Sequence, residues 1–338
     1  MMKRYILTIL TLLGVFGLVF SIACSCPPPT PPEVTPPPSP PAEEQPPEAV
    51  PPKPEELPSF PLTVVDDLGR EVTIEKLPQR IISLAPSNTE ILYALGLEDR
   101  IVGVTDYCDY PEAAKAKPRV AGYLTPDMEK IVFLEPDLIL AESIHEKTVL
   151  PALEKLGLTV IVMSATSLDA VLRDIALIGQ INGKSKSAAK LVDDLKRRID
   201  AVTAKTEGLS PAERPRVMYA CWHAPIWTLG SNTFINDLIG KAGGANVFAD
   251  DFEKSRVVSL EAIIQENPQV IIVSRMGTTG DLVYNNIKKE SRLAGIDAIR
   301  TNRVYKISDA DLIERPGPRI VDGLEEVARL LHPEIFGP

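Results

Sequence analysis

From residue 60 onward the chain carries short apolar runs separated by polar, helix-patterned segments. Ile81–Leu84, Ile101–Val104, Leu138–Ala141 and Val160–Met163 are continuous rather than alternating, the pattern of strands buried on both faces. Between them, Asn88–Leu95, Asp127–Leu134 and Thr148–Leu156 place apolar residues at helical spacing, and Ser87-Asn88-Thr89-Glu90 has the spacing of a capping box. Ahead of this pattern, Leu62–Ile74 reads as two short strands around a turn containing Gly69. Strand and helix in alternation predict a parallel sheet covered on both faces.

The pattern repeats. Met128-Glu129-Lys130-Ile131-Val132 followed by Pro136-Asp137-Leu138-Ile139-Leu140 returns as Leu260-Glu261-Ala262-Ile263-Ile264 followed by Pro268-Gln269-Val270-Ile271-Ile272. Ser87-Asn88-Thr89 likewise returns as Ser231-Asn232-Thr233. Two matches in the same order predict two lobes of similar design, although one continuous array of parallel strands would show the same repeat. Between the copies, Ser167–Glu207 shows only helical periodicity, with Gly183 dividing a shorter helix from one over about Lys186–Thr206. The longer helix would run about 30 Å at 1.5 Å per residue. The expected fold is therefore α/β, with two Rossmann-like lobes, each on a central parallel sheet, joined by a single long α-helix that permits little relative motion. The expected boundaries are 59–167 for the N-terminal lobe, 168–208 for the helical linker and 209–338 for the C-terminal lobe.

Composition separates the first 58 residues from this body. Sixteen of the 32 prolines lie between Pro27 and Pro58, too few apolar residues remain there to offset the entropy of ordering, and the segment reads as a semi-rigid spacer. Lys3 and Arg4 precede an uncharged apolar run, Tyr5–Ala23, that ends at Cys24, the order of an export signal over residues 1–23. The run is also long enough to remain as an uncleaved anchor. Either way, residues 24–58 are a linker at a membrane surface and the remainder lies outside the cytoplasm. The net charge of −10 divides into +2 for residues 1–26, −5 for 27–58 and −7 for the rest, so no basic footprint for nucleic acid exists. Beyond the anchor only Cys108 and Cys221 remain, which are too few for a disulfide framework.

Catalytic patterns are weak. Gly179-Gln180-Ile181-Asn182-Gly183-Lys184-Ser185 is one residue short of a phosphate loop and follows a helix where that motif needs a strand. His145, His223 and His332 show no paired-ligand spacing, so neither zinc catalysis nor capture of a bare metal ion is indicated. In a two-lobed α/β protein a ligand cleft is expected at the carboxyl ends of the strands. That places Thr105–Pro111, Gly122–Leu124, Glu142–Glu146, Cys221–Trp227 and Asp309–Arg315 at its walls, including both tryptophans of the chain.

Arg80–Glu90, Asp106-Tyr107-Cys108-Asp109-Tyr110-Pro111 and Glu314-Arg315-Pro316-Gly317-Pro318-Arg319 resemble the helical-backbone class of ABC-importer substrate-binding proteins. The resemblance runs from about Leu62 to Leu331 and is greatest to the cobalamin-binding members, with haem and ferric-siderophore binders as relatives. Ser21-Ile22-Ala23-Cys24 resembles a lipoprotein lipobox, which implies lipidation at Cys24, Cys26 being a second candidate. The resemblance implies a monomeric, extracytoplasmic, lipid-anchored receptor without catalytic activity or an intrinsic cofactor. It would deliver a corrinoid such as cobalamin to an ABC permease dimer and its ATPase. It implies aromatic cleft contacts from Tyr107, Tyr123 and Trp227 and polar ones from Asp311 and Arg315; Trp222 and His223 join them by adjacency. Glu142 and Ser255 depart from the pattern, standing where cobalamin binders can carry tryptophan. Glu129 and Glu261, equivalent in the two repeats, would dock onto permease arginines. Haem is the rival ligand, with Tyr107, Tyr110, Tyr123, His145 or His223 as axial candidates. A ferric siderophore would draw on Arg275 and Arg315. An extracytoplasmic hydrolase, or a sensor lobe pair without a permease, are the readings from other classes.

Overall fold

A computed structural model describes residues 57–273 and 280–337, so the export signal, Cys24, Cys26, most of the spacer and Arg275 lie outside the described residues. The described part begins with the expected hairpin, β1 (Leu62–Val65) against β2 (Glu71–Ile74). The first lobe then follows as β3 (Ile81–Ser83), α1 (Pro86–Ala94), β4 (Ile101–Val104), α2 (Met128–Phe133), β5 (Leu138–Glu142), α3 (Val149–Lys155) and β6 (Val160–Met163). Its four strands are all parallel, in the order β4-β3-β5-β6.

Two helices, α4 (Leu168–Ile181) and α5 (Ser185–Thr206), lead to the second lobe. That lobe comprises β7 (Arg216–Ala220), β8 (Ile226–Leu229), α6 (Phe234–Lys241), β9 (Ala245–Asn246), β10 (Ser255–Val258), α7 (Leu260–Glu266), β11 (Val270–Val273), α8 (Gly280–Lys289), α9 (Asp297–Arg300), β12 (Val304–Lys306), α10 (Asp311–Glu314), α11 (Ile320–Leu331) and α12 (Pro333–Phe336). Its parallel sheet runs β12-β11-β7-β9. Numbered within each lobe, both sheets have the order 2-1-3-4. The sequence repeat is therefore a repeat of topology in two separate sheets, and the single-array alternative is overturned.

The continuous apolar runs are explained by what lies on each side. In the first lobe Ile81, Leu138, Leu140, Ile161 and Met163 face one cluster, while Ile82, Ile139, Val160 and Val162 face another. The period-two alternation thus separates two apolar environments rather than core from solvent. The second lobe does the same with Val217, Tyr219, Val270 and Ile272 against Met218, Ala220, Ile271 and Val273. The shared cluster also holds Ile175 and Ile178 of α4, Leu195 and Ile199 of α5 and Leu324 of α11, so one core runs from lobe to lobe through the connecting helices.

The glycines of the rejected phosphate loop have structural roles. A Cβ on Gly179 would lie 2.3 Å from the Ala188 Cβ, so the residue lets α4 and α5 approach, and Gly183 turns the chain between them at φ +68°. The capping box is a correction. Ala85 is the N-cap of α1, Pro86 occupies its first turn and no side chain caps it. Ser83 and Thr89 hydrogen-bond to each other, Asn88 donates to Ala141 O, and Glu90 turns elsewhere.

Candidate functional site

Glu90 points across the interlobe junction. Its carboxylate, 2% exposed, accepts Nε and Nη2 of Arg319 at 2.9 and 2.7 Å and lies 3.4 Å from Arg315 Nη1. Arg315 also reaches Asp109 at 2.8 Å, Asp311 at 2.9 Å and Tyr107 O at 3.4 Å. Arg319 reaches Asp309 at 3.0 Å, and its guanidinium sits 3.8 Å above the Tyr110 ring. The three segments quoted above as Arg80–Glu90, Asp106–Pro111 and Glu314–Arg319 converge on this one clasp. Because Asp109 follows β4 and Arg315 follows β12, the carboxyl ends of the two sheets face each other here. Arg315 and Arg319 are 13% and 14% exposed, and their ion pairs hold both guanidinium groups firmly charged. Asp311 is drawn the other way, burial raising its carboxyl pKa.

Beside the clasp, in the second lobe, lies a cavity of about 550 Å³ lined by Tyr219, Cys221, Trp222, Trp227, Phe234 and Glu314 among others. Its shape comes from an unexpected hairpin. Cys221 N donates to Trp227 O, Trp227 N donates to Trp222 O, and Trp222 bridges Trp227. Directly opposed residues of an antiparallel pair share a face, so both indoles project to one side. β10 then pairs with β8, placing Ser255 opposite Leu229 at the cavity wall. The thiol of Cys221 is pushed up to about 11 by burial, and both Cys108 and Cys221 are free and buried. His223 lies apart from the lining, its Nδ1 paired with Asn286 Nδ2 at 3.1 Å.

A third cluster sits at the carboxyl end of β5. The Tyr123 hydroxyl donates to Glu142 Oε2, and burial pushes the Glu142 carboxyl up to about 7. Glu142 N donates to Nδ1 of the fully buried His145 at 3.0 Å, which leaves the proton on Nε2 for donation to Tyr123 O at 2.6 Å. Burial lowers the His145 pKa and keeps this ring neutral. Tyr107 is 61% exposed. The predicted residues thus fall into three groups: Trp222 with Trp227, Tyr123 with Glu142, and Asp311 with Arg315 and the Tyr107 carbonyl. Glu90, Arg319, Tyr219 and Phe234 were missed. Glu90 and Arg319 stand inside the Arg80–Glu90 and Glu314–Arg319 motifs, but the Ser-x-x-Glu spacing points to a local cap for the first.

Glu129 and Glu261 each occupy the second position of a short helix, α2 and α7, behind the capping side chains of Asp127 and Ser259. Both are exposed, and among the described residues neither carries an ion pair.

The family model for periplasmic binding proteins matches residues 81–310. An uncharacterized ABC transporter substrate-binding lipoprotein of Bacillus subtilis (strain 168), YvrC, is 35% identical over 82% of this chain and 87% of its own length. The crystal structure of the periplasmic vitamin B12-binding protein BtuF of Vibrio cholerae is similar at a TM-score of 0.66, with 30% identity over 75% of this chain and 97% of that one. The periplasmic haem-binding protein RhuT of Roseiflexus sp. RS-1 also gives 0.66, at 26% identity over 75% and 97%.

Proposed function

The chain belongs to the periplasmic binding protein family, and on that premise we propose that it is the extracytoplasmic receptor of an ABC importer that takes a corrinoid between its lobes. Cys24 would carry its lipid anchor. The observation that carries the ligand choice is the aromatic cavity together with the charge of its surroundings. Tyr219, Trp222, Trp227 and Phe234 offer flat apolar surface, Glu314 is the one formally charged residue among the described residues of the lining, and the two arginines of the clasp face four carboxylates. A haem brings two propionates and a catecholate siderophore several negative charges, which such a wall repels. A corrinoid brings a flat ring edged with neutral amides, suited to aromatic walls and a few hydrogen bonds. The haem alternative is weakened further because His145 has both ring nitrogens engaged and the Tyr123 hydroxyl is held by Glu142. Ligand would seat one edge against Trp222 and Trp227 and meet Tyr107 and Tyr123 from the other lobe.

Delivery would use Glu129 and Glu261, whose equivalent and exposed positions suit a symmetric, basic permease dimer. Such charges set encounter and register more than raw affinity. Accumulation of radiolabelled cyanocobalamin in cells lacking this chain tests the function. Restoration by the wild type and loss with paired Glu129→Arg and Glu261→Arg is the expected result; equal uptake with and without the chain would overturn it.

A further inference from the structure

Glu142 ends β5 at the carboxyl end of the first-lobe sheet, the end that carries the clasp, and is half-buried and so still open to the cleft. Its setting is held from several sides. Fully buried His145 engages Glu142 N and Tyr123 O with its two ring nitrogens, and Glu142 closes a capping box over the turn Ser143–His145, so the strand end and the Tyr123 segment are fixed to each other. The Tyr123 hydroxyl then donates to Oε2. Among the described residues no cation pairs with this carboxyl; the groups that face it are the Tyr123 phenol, the neutral His145 ring and, from α4, Asp174. Asp174 in turn hydrogen-bonds Asp67 of the β1–β2 turn, and Arg173 opposes the repulsion between acids there. Three carboxyl groups so placed cannot all ionise at low cost. Leu124, beside Tyr123, and Ile144, two residues beyond Glu142, are exposed and apolar. A ligand resting on them removes the solvent that the acid retains.

We propose that Glu142 meets the ligand as a neutral carboxylic acid and selects for a carbonyl on the ligand's edge, so that capture takes up a proton. The inference rests on the corrinoid reading above and adds to it a specificity-determining residue. With Oε2 accepting from Tyr123 as the carbonyl oxygen, the acid carries its proton on Oε1 and donates it to an amide carbonyl at the rim of the macrocycle. An uncharged ligand supplies no cation to hold a carboxylate, and its apolar body desolvates the group further; both effects favour the protonated form. Burial already brings the Glu142 carboxyl up to about 7 in the free protein. Below that pH the acid is neutral beforehand and affinity is level. Above it, binding must first protonate the carboxylate, and affinity falls by up to about tenfold per pH unit.

The test is calorimetric titration of the purified, detergent-solubilised full chain with cyanocobalamin between pH 6 and pH 8.5, the pH 8 titration being repeated in buffers of different ionisation enthalpy to count protons. Affinity about thirtyfold lower at pH 8.5 than at pH 6, and uptake of about one proton per ligand at pH 8, are expected. Glu142→Gln should abolish both the fall and the uptake. Asp174→Asn should keep them, because the Asp174 carboxyl titrates higher, at about 9. A pH-independent affinity without proton uptake, or a fall that survives in Glu142→Gln or is lost in Asp174→Asn, would overturn the inference and leave the corrinoid reading standing. No cyanocobalamin binding at any pH would remove both.

Discussion

Glu90 is a carboxylate almost without solvent, held by two guanidinium groups from the other lobe. Removing one member of a buried ionic cluster leaves its partners desolvated and uncompensated, at a cost of about 3–5 kcal/mol. Glu90→Gln should therefore lower the thermal midpoint by several degrees. The loss should be largely reproduced by Arg319→Met, and the double variant should lose less than the sum because the two changes break one interaction. A second buried acid behaves oppositely. Asp174 of α4 has its carboxyl pushed up to about 9, first by burial and then by neighbouring Asp67, to which it hydrogen-bonds. A folded-state pKa above the unfolded one means that the native protein holds a proton the unfolded chain has lost. Stability is then greatest below the unfolded aspartate range and falls as pH rises toward 9, by up to about 1.4 kcal/mol per unit. Asp174→Asn removes that slope. Its melting temperature relative to wild type should climb between pH 5 and pH 8 in parallel thermal melts, and a constant difference would contradict the assignment.

At the scale of elements, the buried parallel strands were legible because continuous apolar runs bounded by turns have few other interpretations. Ile81–Leu84, Leu138–Ala141 and Val160–Met163 all lie where the pattern placed them, as do the helices on either side of Gly183. The ribbon of β8 and β10 was not legible. Ala224-Pro225 interrupts the segment, β10 is largely exposed, and its pairing partner lies some thirty residues earlier in sequence. Only tertiary pairing makes those residues strands. The misread cap at Ser87–Glu90 has a related cause. A Ser-x-x-Glu spacing carries no information about a partner 225 residues away, and a buried ion pair outweighs the small gain of a local cap. The site followed the same rule. Both tryptophans could be placed at a strand end from the sequence, but their mutual facing depended on the hairpin.

Across the whole molecule the two lobes share one apolar core through α4 and α5 and are joined again by the clasp, so a hinge that swings freely would have to break both. On the proposed function, ligand exchange would then take place by small adjustment. On the proposed reading, the acidic, aromatic character of the junction would favour a corrinoid over an anionic ligand. Fluorescence titration of the purified protein, whose only tryptophans are Trp222 and Trp227, with cyanocobalamin and haemin in parallel tests this most directly. The account predicts saturable one-to-one quenching by cyanocobalamin at micromolar concentration or below, weaker haemin binding, and at least about tenfold lower cyanocobalamin affinity in Trp227→Ala. Tight haemin binding with no saturable response to any corrinoid would contradict it.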